Sequence, residues 1–140
     1  MKSTYLLASL LALAAAAPVM AAAPAPAPAP ACAPGHMAII RTSTIKPTGS
    51  FAGFAKAVAD HAKWYTDHGY TSDKFSWGRV WTYDAVKKMP VASPHQAMTF
   101  HFADSNVPDS AKSDAGWQAF VAEYAANSTV ASTTFVCTGE

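Results

Sequence analysis

Between Met37 and Val136 the spacing of apolar positions alternates between strand-like and helix-like periods, and each switch predicts an element. Met37–Ile45 (MAIIRTSTI) is rich in Ile and Thr and runs into Lys46-Pro47, which predicts a strand. Thr48-Gly49 then turns the chain, and Ser50 is placed to cap a helix. Phe51, Phe54, Ala55, Val58, Ala62 and Tyr65 repeat at helical spacing up to His68, and Gly69 suits the position just past a helix end. Phe75–Tyr83 (FSWGRVWTY) alternates with period two and predicts a second strand. Lys87–Pro94 holds two prolines and no period, so it reads as a loop. Gln96–Phe102 alternates again, with Met98, Phe100 and Phe102 on one face and Ala97, Thr99 and His101 on the other. After a loop at Asp104–Ser110, Ser113 is a candidate cap for a helix whose Trp117, Phe120, Val121 and Tyr124 fall at i, i+3, i+4 and i+7. Val130–Val136 is short and β-branched and predicts the last strand.

The order β-α-β-β-α-β predicts an α+β, ferredoxin-like fold: a four-stranded antiparallel sheet, order 4-1-3-2, with two helices on one face. The chain has two cysteines, Cys32 before the first strand and Cys137 after the last. In this topology strands 1 and 4 are antiparallel neighbours, so both cysteines fall at the same end. An isolated pair in an exported chain is most simply a disulfide. Closing a loop of about a hundred residues stabilises by roughly 4–5 kcal/mol in the chain-entropy account, less any strain.

Export is read from the first segment. Lys2 precedes the apolar run Leu6–Ala17, which Pro18 ends, and small residues follow at Ala21-Ala22. The run is shorter than the roughly 20 residues of a spanning helix, so residues 1–22 are expected to be a signal peptide cleaved near Ala21 or Ala22. Ala29-Pro30-Ala31-Cys32 lacks the Leu-like residue of a lipoprotein signal. Residues 23–36, with alternating Pro and Ala, are expected to be an extended spacer, and 37–140 the folded domain. Periplasmic or secreted localisation follows, without stable membrane insertion. Without Lys2, the ten Lys and Arg become nine, matching nine Asp and Glu. That balance argues against nucleic acid as a partner.

With its elements placed, the helix text HAKWYTDHG followed by FSWGRVWTY resembles the dimeric α/β-barrel superfamily, which includes antibiotic-biosynthesis monooxygenase-like, stress-responsive barrel and polyketide-cyclase-like proteins. The resemblance covers about Met37 to Gly139 and rests on element order, length and texture. It implies a homodimer with two sheets face to face and a small-molecule pocket between sheet and helices in each subunit. The composition agrees. The second strand carries Phe75, Trp77, Trp81 and Tyr83 on one face yet Val80 on the other, and the third has no charged residue on either face beyond His101. Both sheet faces read as covered, one by helices and one by a second subunit.

Histidine is the first choice for acid–base chemistry near neutral pH. His61 and His68 flank the apolar side of the first helix with Tyr65 between them, and His101 points away from Phe100 and Phe102. His61, His101 and Tyr65 are therefore the catalytic candidates. His68 reads first as a helix-end cap, and His95, after Pro94, reads as exposed. Arg79 stands between Trp77 and Trp81 on its strand face, placed to stack on them, to stabilise an enolate or carboxylate, or to pair with Asp84 or Glu123. Arg41 is a comparable candidate for substrate binding, and Trp64, Trp81 and Tyr83 could shape an aromatic pocket, although aromatic stripes are commonly plain core. His61 and His68 are about 10 Å apart along a helix by its 1.5 Å rise, too far to share a metal ion. No HExxH, CxxCH, GxSxG or phosphate loop is present. No cofactor is expected from the residues, and haem enters only through the superfamily.

Two functions compete. One is a cofactor-independent acid/base enzyme, monooxygenase-, cyclase- or isomerase-like, acting on a hydrophobic or aromatic small molecule. The other is a non-catalytic periplasmic ligand-binding or stress-response protein of the same fold. A purely structural dimer would have no enclosed pocket.

Overall fold

The computed structural model describes residue 32 and residues 35–139. The signal peptide expected at 1–22 and most of the spacer expected at 23–36 lie outside the described residues. The elements are β1 (His36–Ile45), α1 (Phe51–Asp67), β2 (Lys74–Asp84), β3 (Met89–Ala103), a short 3-10 turn (Asp109–Ser113), α2 (Ala115–Asn127) and β4 (Ser128–Thr138). The sheet is antiparallel throughout, in the order β2-β3-β1-β4. This is the expected ferredoxin-like α+β fold.

Local chemistry explains the boundaries. Ser50 caps α1 by accepting from Gly53 N at 2.9 Å. Just past the helix end, Gly69 takes φ 85° at no steric cost. His68 closes the helix end: its Nδ1 donates to Trp64 O at 2.8 Å, and its ring stacks on Trp64 at 4.1 Å. Asp114, not Ser113, caps α2, because its carboxylate accepts from both Gly116 N and Trp117 N. A carboxylate there also meets the positive end of the helix dipole.

Strand β3 starts at Met89, inside the stretch expected to be a loop, and includes Pro90 and Pro94. β1 pairs with β3 only as far as Gln96, so Met89–His95 has a neighbour on one side alone. A proline there costs no ladder bond on its open side.

The core lies between helices and sheet. Phe54 is 1% exposed and packs with Val58, Ile45 and Ala97. Trp64, Tyr65 and Phe120 form a second cluster where the helices meet. Asn127 joins the start of α1 to the end of α2: its Oδ1 accepts from Ser50 N, its backbone oxygen accepts from Lys46 N, and its Nδ2 donates to Glu123 O. Gly53 lets that side chain approach so closely that a Cβ would lie 2.1 Å from Oδ1. A Cys32–Cys137 disulfide closes the domain across a separation of 105 residues. Cys137 lies inside β4 opposite Met37, so the bridge sits at the β1–β4 edge as the topology requires.

Candidate functional site

Alternation along the paired strands sends Ile39, Arg41 and Ser43 of β1 and Thr99, His101 and Ala103 of β3 to the helix side. Phe75 of β2 joins them, as the register partner of His101. From the other side α1 contributes His61 and Tyr65, one turn apart, and α2 contributes Trp117, Phe120 and Tyr124. These residues line an open cavity of about 590 Å3 between sheet and helices. A volume in the range of about 300–1,000 Å3 is what small-molecule sites occupy.

Of the sequence candidates, His61, His101, Tyr65 and Arg41 converge on this cavity. Arg79, Trp64, Trp81 and Tyr83 do not line it. Arg79 places its guanidinium 4.0 Å over the Phe51 ring at the start of α1. Its cation–π partner is thus a helix phenylalanine, not the strand indoles. Trp64 is buried between the helices, and its Nε1 donates to Asp114 at 2.6 Å. Trp81 and Tyr83 are 61% and 68% exposed. The β2–β3 register breaks between Arg79 and Trp81, and residues 93–96 of β3 stand opposite the single Val80. Trp81 and Tyr83 lie beyond that irregularity, toward the exposed hairpin tip.

His101 is held by a residue the sequence reading did not single out. Its Nε2 donates to Asp73 Oδ1 at 2.8 Å, with the two side chains 7% and 0% exposed. The other oxygen of Asp73 has no hydrogen-bond partner among the described residues. Burial lowers the His101 pKa below its ordinary value, and the Asp73 bond and charge offset part of that. Burial therefore favours the neutral imidazole at His101. With the Nε2 proton committed to the carboxylate, the lone pair is on Nδ1. Phe75 stacks on the ring at 4.0 Å and fixes its plane.

His61 lies between Phe120 and Phe75, each 4.3 Å away, and its ring centroid is 5.7 Å from His101. Burial is the main reason that its pKa falls to about 3, with His101 and the Arg41 charge adding to it. It stays neutral across the physiological range and acts as a hydrogen-bonding group. Tyr124 Oη lies 3.5 Å from its Nδ1, at the long limit of a hydrogen bond. Burial raises Tyr65 to about 12 and raises Tyr124 as well, so both phenols keep their protons and can donate. The Arg41 charge is felt by His61, His101, Tyr65 and Tyr124 alike.

The cavity can thus supply a neutral imidazole base oriented by a carboxylate, two phenol donors and a guanidinium. No group of three His, Cys, Asp or Glu suited to a metal ion occurs among the described residues. Haem does not fit the residues. Both imidazoles are already engaged, His101 through Nε2 with Asp73 and His61 against Phe75 and Phe120, an arrangement suited to hydrogen bonding and not to haem ligation.

No family model matches the chain, and no curated protein matches it. Among solved structures, the chain is similar to an Arabidopsis thaliana protein studied by crystallography, at a TM-score of 0.45 and 7% identity. The likeness covers 75% of this chain and 94% of that one. A likeness of that degree carries no argument about function.

Proposed function

We propose that the domain is a cofactor-independent acid/base enzyme that moves a proton on a hydrophobic or aromatic small molecule held between sheet and helices. The buried His101–Asp73 pair, opening on a cavity that also holds Arg41, carries this reading. His101 Nδ1 takes a proton from carbon next to a carbonyl, Arg41 stabilises the enolate oxygen, and Tyr65 returns or relays a proton. The net change is a shift of one proton, which needs no oxidant or other co-reactant. His61 is too weak a base for this step and serves to position the substrate.

The test is exchange. A panel of aromatic ketones and keto acids is incubated with the protein in D2O and followed by proton NMR. The wild type is expected to catalyse loss of the α-proton signal for at least one compound, and His101→Gln to reduce that rate by 10²-fold or more. Equal rates in both proteins, or no exchange across the panel, would overturn the proposal. The competing reading is non-catalytic ligand capture, favoured by the aromatic lining; it expects ligand-dependent melting shifts with no exchange.

Membership of the dimeric α/β-barrel superfamily, homodimerisation and export belong to the same proposal. The sheet face away from the helices carries Ile40, Met98 and Phe100, with Phe102 40% and Val136 37% exposed, which suits burial against a second copy. Light scattering at micromolar concentration checks it, a monomer mass being the contrary result. The disulfide suits an oxidising compartment, and among the described residues no helix is long and apolar enough to cross a membrane. The mass of the mature chain from an exporting host tests cleavage near Ala21.

A further inference from the structure

Charge on the cavity wall is one-sided. Arg41 projects from the middle of β1, and among the described residues it has no ion-pair or hydrogen-bonding partner. Lys112 also lines the cavity, but it is paired with Asp109 at 2.6 Å and is 43% exposed. No acidic residue lines the cavity among those described. The Asp73 carboxylate lies behind His101 and spends Oδ1 on it. Both histidines on the wall are neutral for the reasons given above, so neither competes with Arg41 for an anion.

A half-buried guanidinium without a counter-ion, beside a largely apolar wall, favours a negative partner. Its planar fork matches a carboxylate in two parallel hydrogen bonds. Thr99, the register partner of Arg41, and Ser43, two residues further along β1, put hydroxyls on the same face. Beyond this polar strip the wall is aromatic, from Phe75, Phe120, Trp117 and Tyr124. A flat apolar body would lie against those rings while its acid group meets β1.

We infer that the cavity selects aromatic or hydrophobic monocarboxylates, with Arg41 binding the carboxylate and the rings of α1, α2 and β2 enclosing the body. This deepens the enzymatic reading above by naming its substrate class. Arg41 is then a specificity-determining residue as well as a stabiliser of developing charge, since a keto acid presents the carboxylate and the enolising carbonyl side by side.

Calorimetric titration with three probes of one shape tests it: 2-naphthoate, 2-naphthamide and 2-naphthylmethylamine. On the wild type, naphthoate is expected to bind roughly 10- to 100-fold more tightly than the neutral amide, the factor for losing a charge-assisted hydrogen bond. The ammonium probe is expected to bind more weakly still. Arg41→Gln is expected to abolish the preference for the acid, and Arg41→Lys to keep part of it. The comparison within the wild type needs no variant to fold. Equal affinity for acid and amide, a preference for the ammonium, or binding of none of the three would overturn the inference. His101→Gln separates the two proposals: it should keep the acid preference while losing exchange. Acid-selective binding without exchange in any protein upholds the ligand class and removes the enzyme, whereas exchange on neutral ketones without acid preference does the reverse.

Discussion

Replacing Asp73 with Asn removes the charge behind His101 while keeping the side chain's shape, and its consequences for stability and for rate should diverge. The carboxylate is 0% exposed and one of its oxygens has no partner among the described residues. Losing the charge-assisted bond to His101 costs about 1.5–3 kcal/mol. Relieving a fully buried, half-satisfied carboxylate returns a desolvation penalty of several kcal/mol, reduced by the new burial of an amide N–H₂. The two nearly cancel, so Asp73→Asn should change folding stability by no more than about 1–2 kcal/mol in either direction. For a domain of this size that is a melting shift of at most roughly 10 °C. The rate has no such compensation. Without the carboxylate, His101 loses the interaction that raises its pKa and the acceptor that fixes its tautomer, so it becomes a weaker and less well oriented base. Proton exchange should fall by about 10²- to 10⁴-fold, the range set by displaced catalytic imidazoles. Urea denaturation and the D2O exchange assay on the same preparation measure both. A stability loss above 3 kcal/mol with an unchanged exchange rate would refute the reasoning and make Asp73 a structural anchor.

Three further outcomes follow from the same structure. His61 is near pKa 3 in the fold against 6.5 when unfolded, so the unfolded chain binds the extra proton between those values; stability is complete above pH 6.5 and is lost as pH falls, at roughly 1 kcal/mol per pH unit. His61→Phe should flatten that slope in urea melts taken between pH 6.5 and 4.5, and an unchanged slope would count against the burial argument. Reducing the Cys32–Cys137 bridge, which closes 105 residues, should cost about 2–5 kcal/mol, read as a lower urea midpoint in the presence of a reductant. Phe54→Ala, at the most buried large side chain, should cost about 3–5 kcal/mol by calorimetry, with the far-ultraviolet circular dichroism of the folded state retained.

The fold was readable because each element carries its own period and its own end signal. Ser50, Gly69 and the alternation of Gln96–Phe102 act locally, and the cysteine positions confirmed the β1–β4 pairing. The loop assigned to Lys87–Pro94 is where local signals mislead: proline excludes a central strand, but this stretch has an open side, a property of the whole sheet. The site divides the same way. His61 and Tyr65 are one helical turn apart, and His101 lies opposite Phe100 and Phe102 by simple alternation, so their common side could be anticipated. Arg41 and Arg79 are indistinguishable by alternation; what separates them is that Arg79 lies over Phe51 at the start of α1 while Arg41 lies mid-strand under the cavity. Trp81 and Tyr83 obey the period of two, yet they lie toward the exposed hairpin tip, beyond the stretch of β2 that reaches the cavity. Asp73 was hidden because its partner is 28 residues away, and only the pairing of Phe75 with His101 brings the turn before β2 to that ring.

The proposed chemistry depends on His101 presenting a neutral, carboxylate-oriented imidazole to the cavity. The nitrogen-15 shifts of its ring in labelled protein at pH 7 report this directly. A protonated Nε2 with an unprotonated Nδ1, losing that definition in Asp73→Asn, is the predicted result. An imidazolium at pH 7, or a proton on Nδ1 with Nε2 bare, would contradict the account.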